Sequence, residues 1–271
     1  PAEGFQRDRL YWRHSGSLVR ASHGEDFYVH IPLPCFELVY VFLSYYISQT
    51  RNPQISTILA NGGQWKYLTF LNLVLQPIFY GVAFLEDVLK RIKEKKDVKF
   101  ITAFRYLLFT TLAFPVSAFV FLLFWILFLY NRELIYPKFL DVIFPAWLNH
   151  AMHTSILPIS LAEVILRPHR YPSKKTGLTV LTVASFAYMG RVLWIYSETG
   201  TWVYPVFAKL SPVGLAAFFS LSYILIIGIY LLGEKLNHWK WDLEYILEFG
   251  PSNLCPRETD AADLRTRPRI P

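Results

Sequence analysis

The chain has 271 residues, of which 54% are hydrophobic and 17% charged, with a net charge of +7 and a mean hydropathy of +0.30. Soluble domains carry about 25% charged residues, so this composition excludes an ordinary soluble globular protein and places the chain in the membrane class. The basic residues lie in connectors beside apolar runs rather than on one soluble face, which excludes a nucleic-acid partner.

Residues 1–28 carry charges throughout (Arg7, Arg9, Arg13 and Arg20 among them) and hold no apolar core of a cleavable signal peptide. They are expected to form a cytoplasmic tail, with the first span directing insertion. Apolar runs then predict helices over 29–48, 66–89, 101–130, 144–166, 177–196 and 213–233, each near the roughly 20 residues that cross a bilayer. The strict alternation of a membrane barrel is missing from FVFLLFWILFLY at 119–130. The expected fold is therefore all-α: an integral membrane bundle of six transmembrane helices over residues 29–241. Basic residues crowd the first tail, the connector KRIKEKKDVK at 90–99, the connector RPHRYPSKK at 167–175 and the segment after 233. The positive-inside rule puts all four in the cytoplasm, together with both termini. Residues 242–271, rich in proline and charge, are expected to be a disordered cytoplasmic tail. Cys35 and Cys255 offer neither a disulfide framework nor a metal spacing.

Polar side chains inside hydrocarbon are costly unless partnered, so they mark where to seek function. Thr69, Asn72 and Gln76 follow at i, i+3 and i+7 on one face of the second span. Asn149, His150 and His153 open the fourth, with Asn149 and His153 at i, i+4. The predicted topology places both groups, and Arg191 of the fifth span, in the exoplasmic leaflet. Each also has a purely structural explanation. A membrane threonine bonds back to its own i−4 carbonyl, a histidine or an amide joins helices, and an arginine snorkels to the interface. Glu163 and Arg167 have the spacing of an i, i+4 ion pair. Seven histidines scattered over separate regions do not make a metal site, and no nucleophile elbow, phosphate loop or zinc-type cysteine pair is present. No cofactor and no metal are expected.

The segments ILANGGQWKYLTFLNLVLQ (58–76), WLNHAMHTSILPISLAEVILRPHRYPSKKTGLT (147–179) and ETGTWVYPVFAKL (198–210) resemble the androgen-induced protein 1 family, and the resemblance runs over roughly residues 36–241. It implies a six-span membrane threonine hydrolase that cleaves fatty acid esters of hydroxy fatty acids. The family pattern WK-aromatic-hydrophobic-T falls on Trp65 to Thr69, which carries the nucleophile to Thr69. The pattern NHxMHT falls on Asn149 to Thr154 and makes His153 the base. A threonine hydroxyl needs such a base to take its proton. Asn149 is the candidate to orient His153, while His150, Asn72 and Arg191 are candidate substrate contacts, Arg191 for a free carboxylate. The expected partners are a lipid ester substrate and the bilayer, in the cell membrane or alternatively the endoplasmic reticulum. The resemblance also implies an influence on coagulation-inhibitor levels in endothelial membranes, so the competing reading is a non-enzymatic lipid-binding or regulatory scaffold. A small-solute transporter would need a continuous polar path, whereas these residues cluster in one leaflet.

Overall fold

The computed structural model describes residues 62–92, 98–142 and 144–249, the last seven by their backbone alone; the first predicted span, at 29–48, and Cys35 and Cys255 lie outside them. Among the described residues every regular element is helical: α1 (Leu68–Ile92), α2 (Lys99–Leu108), α3 (Phe114–Asn131), α4 (Ala146–His153), α5 (Ile156–Leu166), α6 (Lys174–Thr199) and α7 (Pro212–Phe249). Short 3-10 turns cover Gly63–Lys66, Arg132–Leu134, Lys138–Val142 and Pro205–Lys209.

Among the described residues four helical stretches are long and apolar enough to cross a membrane: Leu68–Ile92, Lys99–Leu134, Lys174–Thr199 and Pro212–Asp242. Their apolar side chains point outward as well as inward. Phe186, Trp194, Leu221 and Ile224 are all more than half exposed, a surface that a soluble monomer does not sustain but lipid covers without cost. The chain is thus a multi-pass membrane protein. Its core is built where α1, α3, α5, α6 and α7 meet around Phe79, Tyr80, Phe109, Phe114, Leu181 and Tyr230.

Prolines shape the departures from regular helix. Pro115 has no N–H to offer the Thr111 carbonyl and its ring crowds it. The turn before it widens into a π-helical segment, Phe109–Ala113, between α2 and α3. The expected single helix over 144–166 is in fact two, 8 and 11 residues long. The cause is Pro158, which leaves the Thr154 carbonyl without its donor; the N–H groups of Thr154 and Ser155 both turn to His150 O, at 2.7 and 3.0 Å. Broken as it is, the pair α4–α5 runs the length of α1, from His153 at Thr69 to Arg167 at Asp87. Those ends of α1 are about 27 Å apart at 1.5 Å per residue.

One other expectation needs correction. Helix α7 continues to Phe249, past the expected start of a disordered tail at 242, because WDLEYILEF keeps apolar residues and meets no proline. Glu163 and Arg167, expected as an i, i+4 pair, also reach other elements. Arg167 reaches Asp87 at 3.5 Å and Glu163 lies 3.5 Å from His169 Nε2, so both tie α5 to neighbouring elements. They belong to a buried charged layer at that end of the bundle, in which Glu86 meets Arg105 at 2.7 Å, Lys90 at 2.5 Å and Thr102 at 2.6 Å.

Candidate active site

Thr69 stands in the first turn of α1, and what precedes it fixes where that turn begins. Gly62 and Gly63 have φ of +102° and +62°, a left-handed pair that starts the Gly63–Lys66 turn and that side chains would strain. The chain then extends through Tyr67. The first N–H groups of a helix lack intrahelical acceptors. Here Leu68 N–H donates to both Tyr188 Oη and Tyr204 Oη, each at 3.0 Å. Tyr188 in turn donates to Lys66 O at 3.1 Å, which makes Tyr204 the donor in the 3.1 Å contact between the two hydroxyls. Trp65 packs edge-on to Phe70 with centroids 5.0 Å apart, and Tyr67 packs edge-on to Tyr204 at 5.8 Å. Each residue of the WKYLT run thereby helps to seat the threonine.

Thr69 Oγ1 lies 3.3 Å from His153 Nε2. The other nitrogen of that ring, Nδ1, lies 2.8 Å from Asn149 Oδ1 and 3.1 Å from Asn149 O. A backbone carbonyl only accepts, so Nδ1 carries the proton and Nε2 presents a lone pair to the threonine. The i, i+4 spacing puts Asn149 and His153 on one face of α4. The imidazole is buried, stacked on Phe124 with centroids 3.6 Å apart and planes 10° from parallel. Its position and its tautomer are both held. Thr69 does not bond back to its own helix, which removes the usual structural reason for a threonine at such a place.

The remaining sequence candidates lie at different distances from this pair. His150 is exposed, stacked on Trp125 at 5.7 Å and within 3.0 Å of Thr154 Oγ1, on the outward side of α4. Asn72 is buried one turn deeper than Thr69; its Oδ1 accepts from Gln76 Nε2 and Ser117 Oγ, both at 3.2 Å. Arg191 is one turn beyond Tyr188 on α6, and its side chain is exposed. Tyr188, Tyr204 and Phe124 escape a reading by polarity in the hydrocarbon. Their signal, visible only after folding, is an aromatic hydroxyl or ring meeting a group more than a hundred residues away or, for Phe124, in another helix.

An apolar cavity of about 220 Å³ lies between α1, α3, α6 and α7, with Leu68, Leu71, Asn72, Leu75, Phe119 and Ala184 among its walls; Thr69 and His153 do not line it, but Leu68 and Asn72 flank Thr69 on α1.

The pattern of the FAR-17a/AIG1-like protein family matches residues 29–238. The chain is similar to human androgen-dependent TFPI-regulating protein, 73% identical over 203 residues, which cover 74% of this chain and 88% of the relative. It is 64% identical to the mouse protein of that name over the same shares. To human androgen-induced gene 1 protein it is 41% identical over 194 residues, 69% of this chain and 82% of the relative. No solved structure matches the chain.

Proposed function

From the chain's membership of the FAR-17a/AIG1-like family, we propose that it is an intramembrane hydrolase of lipid esters, specifically of fatty acid esters of hydroxy fatty acids. Thr69 is the nucleophile and His153 the base. The observation that carries this reading is the 3.3 Å approach of Thr69 Oγ1 to a His153 Nε2 whose lone pair is turned to it by Asn149. Apo catalytic contacts are commonly this long and tighten on substrate.

In the reaction, Thr69 Oγ1 attacks the ester carbonyl carbon while its proton passes to His153 Nε2. The ester C–O bond breaks, and the same proton goes from His153 to the departing hydroxyl of the hydroxy fatty acid. A water, deprotonated by His153, then cleaves the threonyl ester and returns the proton to Thr69. The developing imidazolium is stabilised through Nδ1–H by the two Asn149 oxygens. Both residues sit within about two turns of the ends of their helices, shallow enough for that water to arrive from the membrane surface.

The topology belonging to this reading has six spans with both termini cytoplasmic, which sets the pair in the exoplasmic leaflet of the cell membrane. A regulatory, non-enzymatic reading is favoured by one observation. The relative at 73% identity is named for regulation of TFPI, and a lipid-binding scaffold with the same role here would need no turnover.

Purified protein in detergent separates the two. The hydrolase reading expects turnover of such an ester that Thr69→Val and His153→Ala each abolish. The Thr69→Val/His153→Ala double variant should be no worse than either single one, because the residues act as a unit. Well-folded Thr69→Val protein with wild-type turnover removes the nucleophile assignment and leaves the scaffold.

A further inference from the structure

The cavity lined by Leu68 and Asn72, on either side of Thr69 in α1, has among its walls a polar side chain with a partner missing. Asn72 is 1% exposed, and its Nδ2 meets no acceptor. The orientation of that amide follows from its neighbours. Gln76 Nε2 lies 3.3 Å from Ala113 O, which can only accept, so that end of Gln76 is the NH₂. It also donates towards Ser117 Oγ at 2.8 Å, and Ser117 passes its own hydrogen to the Asn72 oxygen at 3.2 Å. A chain of donors that starts at a carbonyl thus ends on Asn72 Oδ1 and leaves both Nδ2 hydrogens over. A buried donor without an acceptor is costly, and in lipid no bulk water relieves it. Asn72 is at the same time a wall residue of the 220 Å³ cavity, whose other walls are almost entirely hydrocarbon.

Taking the hydrolase reading as its basis, we infer that this cavity receives the acyl chain of the ester and that Asn72 Nδ2 donates to the ester carbonyl oxygen, stabilising the oxyanion formed when Thr69 attacks. Three features fit. Asn72 follows Thr69 at i+3, so their Cβ atoms are about 5–6 Å apart, the span of one carbonyl group between a nucleophile and a donor. The walls suit a hydrocarbon chain and reject a carboxylate, so the acid end of the hydroxy fatty acid lies elsewhere. The site stands in the first turns of a 25-residue helix, whose N-terminal dipole also favours negative charge. At about 30 Å³ per water-sized group the cavity admits roughly seven such groups, so it holds the carbonyl-proximal part of a long chain.

Kinetics of purified Asn72→Asp, Asn72→Leu and Ala184→Phe proteins, matched to wild type by thermal melting in detergent, test this with short- and long-chain esters. Asn72→Asp keeps the oxygen that Gln76 and Ser117 need and deletes the donor; Asn72→Leu deletes both. The expected result is that each lowers kcat by about 10²–10³-fold, the usual loss for one oxyanion donor, with KM little changed. Ala184→Phe, which fills the cavity, shifts preference to short acyl chains and raises KM for long ones by about tenfold. Wild-type kcat in folded Asn72→Asp, alongside an inactive Thr69→Val, overturns the donor role and leaves the hydrolase reading standing. Unchanged chain-length preference in Ala184→Phe overturns the assignment of the cavity. An inert wild-type protein removes the hydrolase reading itself, and this inference with it.

Discussion

Asn149 offers a graded test, because His153 Nδ1 has two acceptors from it and only one is a side chain. In Asn149→Ala the carboxamide contact at 2.8 Å is lost, while the backbone oxygen at 3.1 Å stays. The tautomer is therefore kept and the ring is held less firmly. One hydrogen bond contributes about 0.5–1.5 kcal/mol, and 1.4 kcal/mol is tenfold in rate, so kcat should fall by about 2- to 12-fold with KM nearly constant. His153→Ala removes the base altogether and should cost about 10²–10⁴-fold. Initial rates of ester hydrolysis by the two purified variants, each checked for a wild-type elution profile and melting temperature, give the comparison. A folded Asn149→Ala protein as inactive as His153→Ala refutes the argument that the backbone carbonyl holds the tautomer. Undiminished kcat in Asn149→Ala refutes any orienting role for its amide.

The other predictions concern stability and topology. Arg105→Leu leaves the fully buried Glu86 with only Lys90 and Thr102, and breaking one side of such a buried pair costs up to about 3–5 kcal/mol; a melting temperature within a degree or two of wild type would show that Lys90 and Thr102 satisfy the charge. A Cβ added at Gly233 would sit 2.6 Å from Phe114 Cε1 and 2.8 Å from Tyr171 Oη, so Gly233→Val overpacks the α3–α7 contact and should destabilise by about 1–3 kcal/mol, read by the same melt. Single cysteines introduced near residues 95 and 172 of a variant lacking Cys35 and Cys255 should be shielded from impermeant reagents in intact cells, while one near 200 reacts. Labelling at 95 but not at 200 would invert the orientation and move the site to the cytoplasmic leaflet.

The sequence made the pairing of Thr69 with His153 legible for two separate reasons. Lysine and arginine bias placed Thr69 and His153 at one depth, and the WKYLT and NHAMHT runs matched a family pattern. The Asn149 contact was readable as well, since an i, i+4 spacing on a helix is a distance. What stayed hidden depends on long-range meetings. Tyr188 and Tyr204 reach Leu68 across 120 and 136 residues, and Phe124 sits in an aromatic run where no period distinguishes it. The breaks before Pro115 and Pro158 carried a local signal, but hydropathy windows average over prolines that lipid-embedded helices tolerate. Composition likewise placed the end of the last helix too early, because charged residues after 233 mark the membrane surface and do not stop a helix.

The buried pair of Glu86 and Arg105 bears on how the protein is made. The two residues sit on successive apolar helices, α1 and α2, joined by a short connector. Helix α1 alone has only its own Lys90 beside Glu86, and α2 alone would carry Arg105 into lipid unneutralised, at about 2.5–3.5 kcal/mol for such a group on biological insertion scales, if it lay at the bilayer centre. Together the charges cancel at 2.7 Å. The translocation machinery therefore gains by holding α1 at its lateral gate until α2 has been synthesised and releasing them as a hairpin. In that order of events the helix that carries Thr69 reaches the bilayer already fastened to its neighbour, before the helix that carries His153 has left the ribosome.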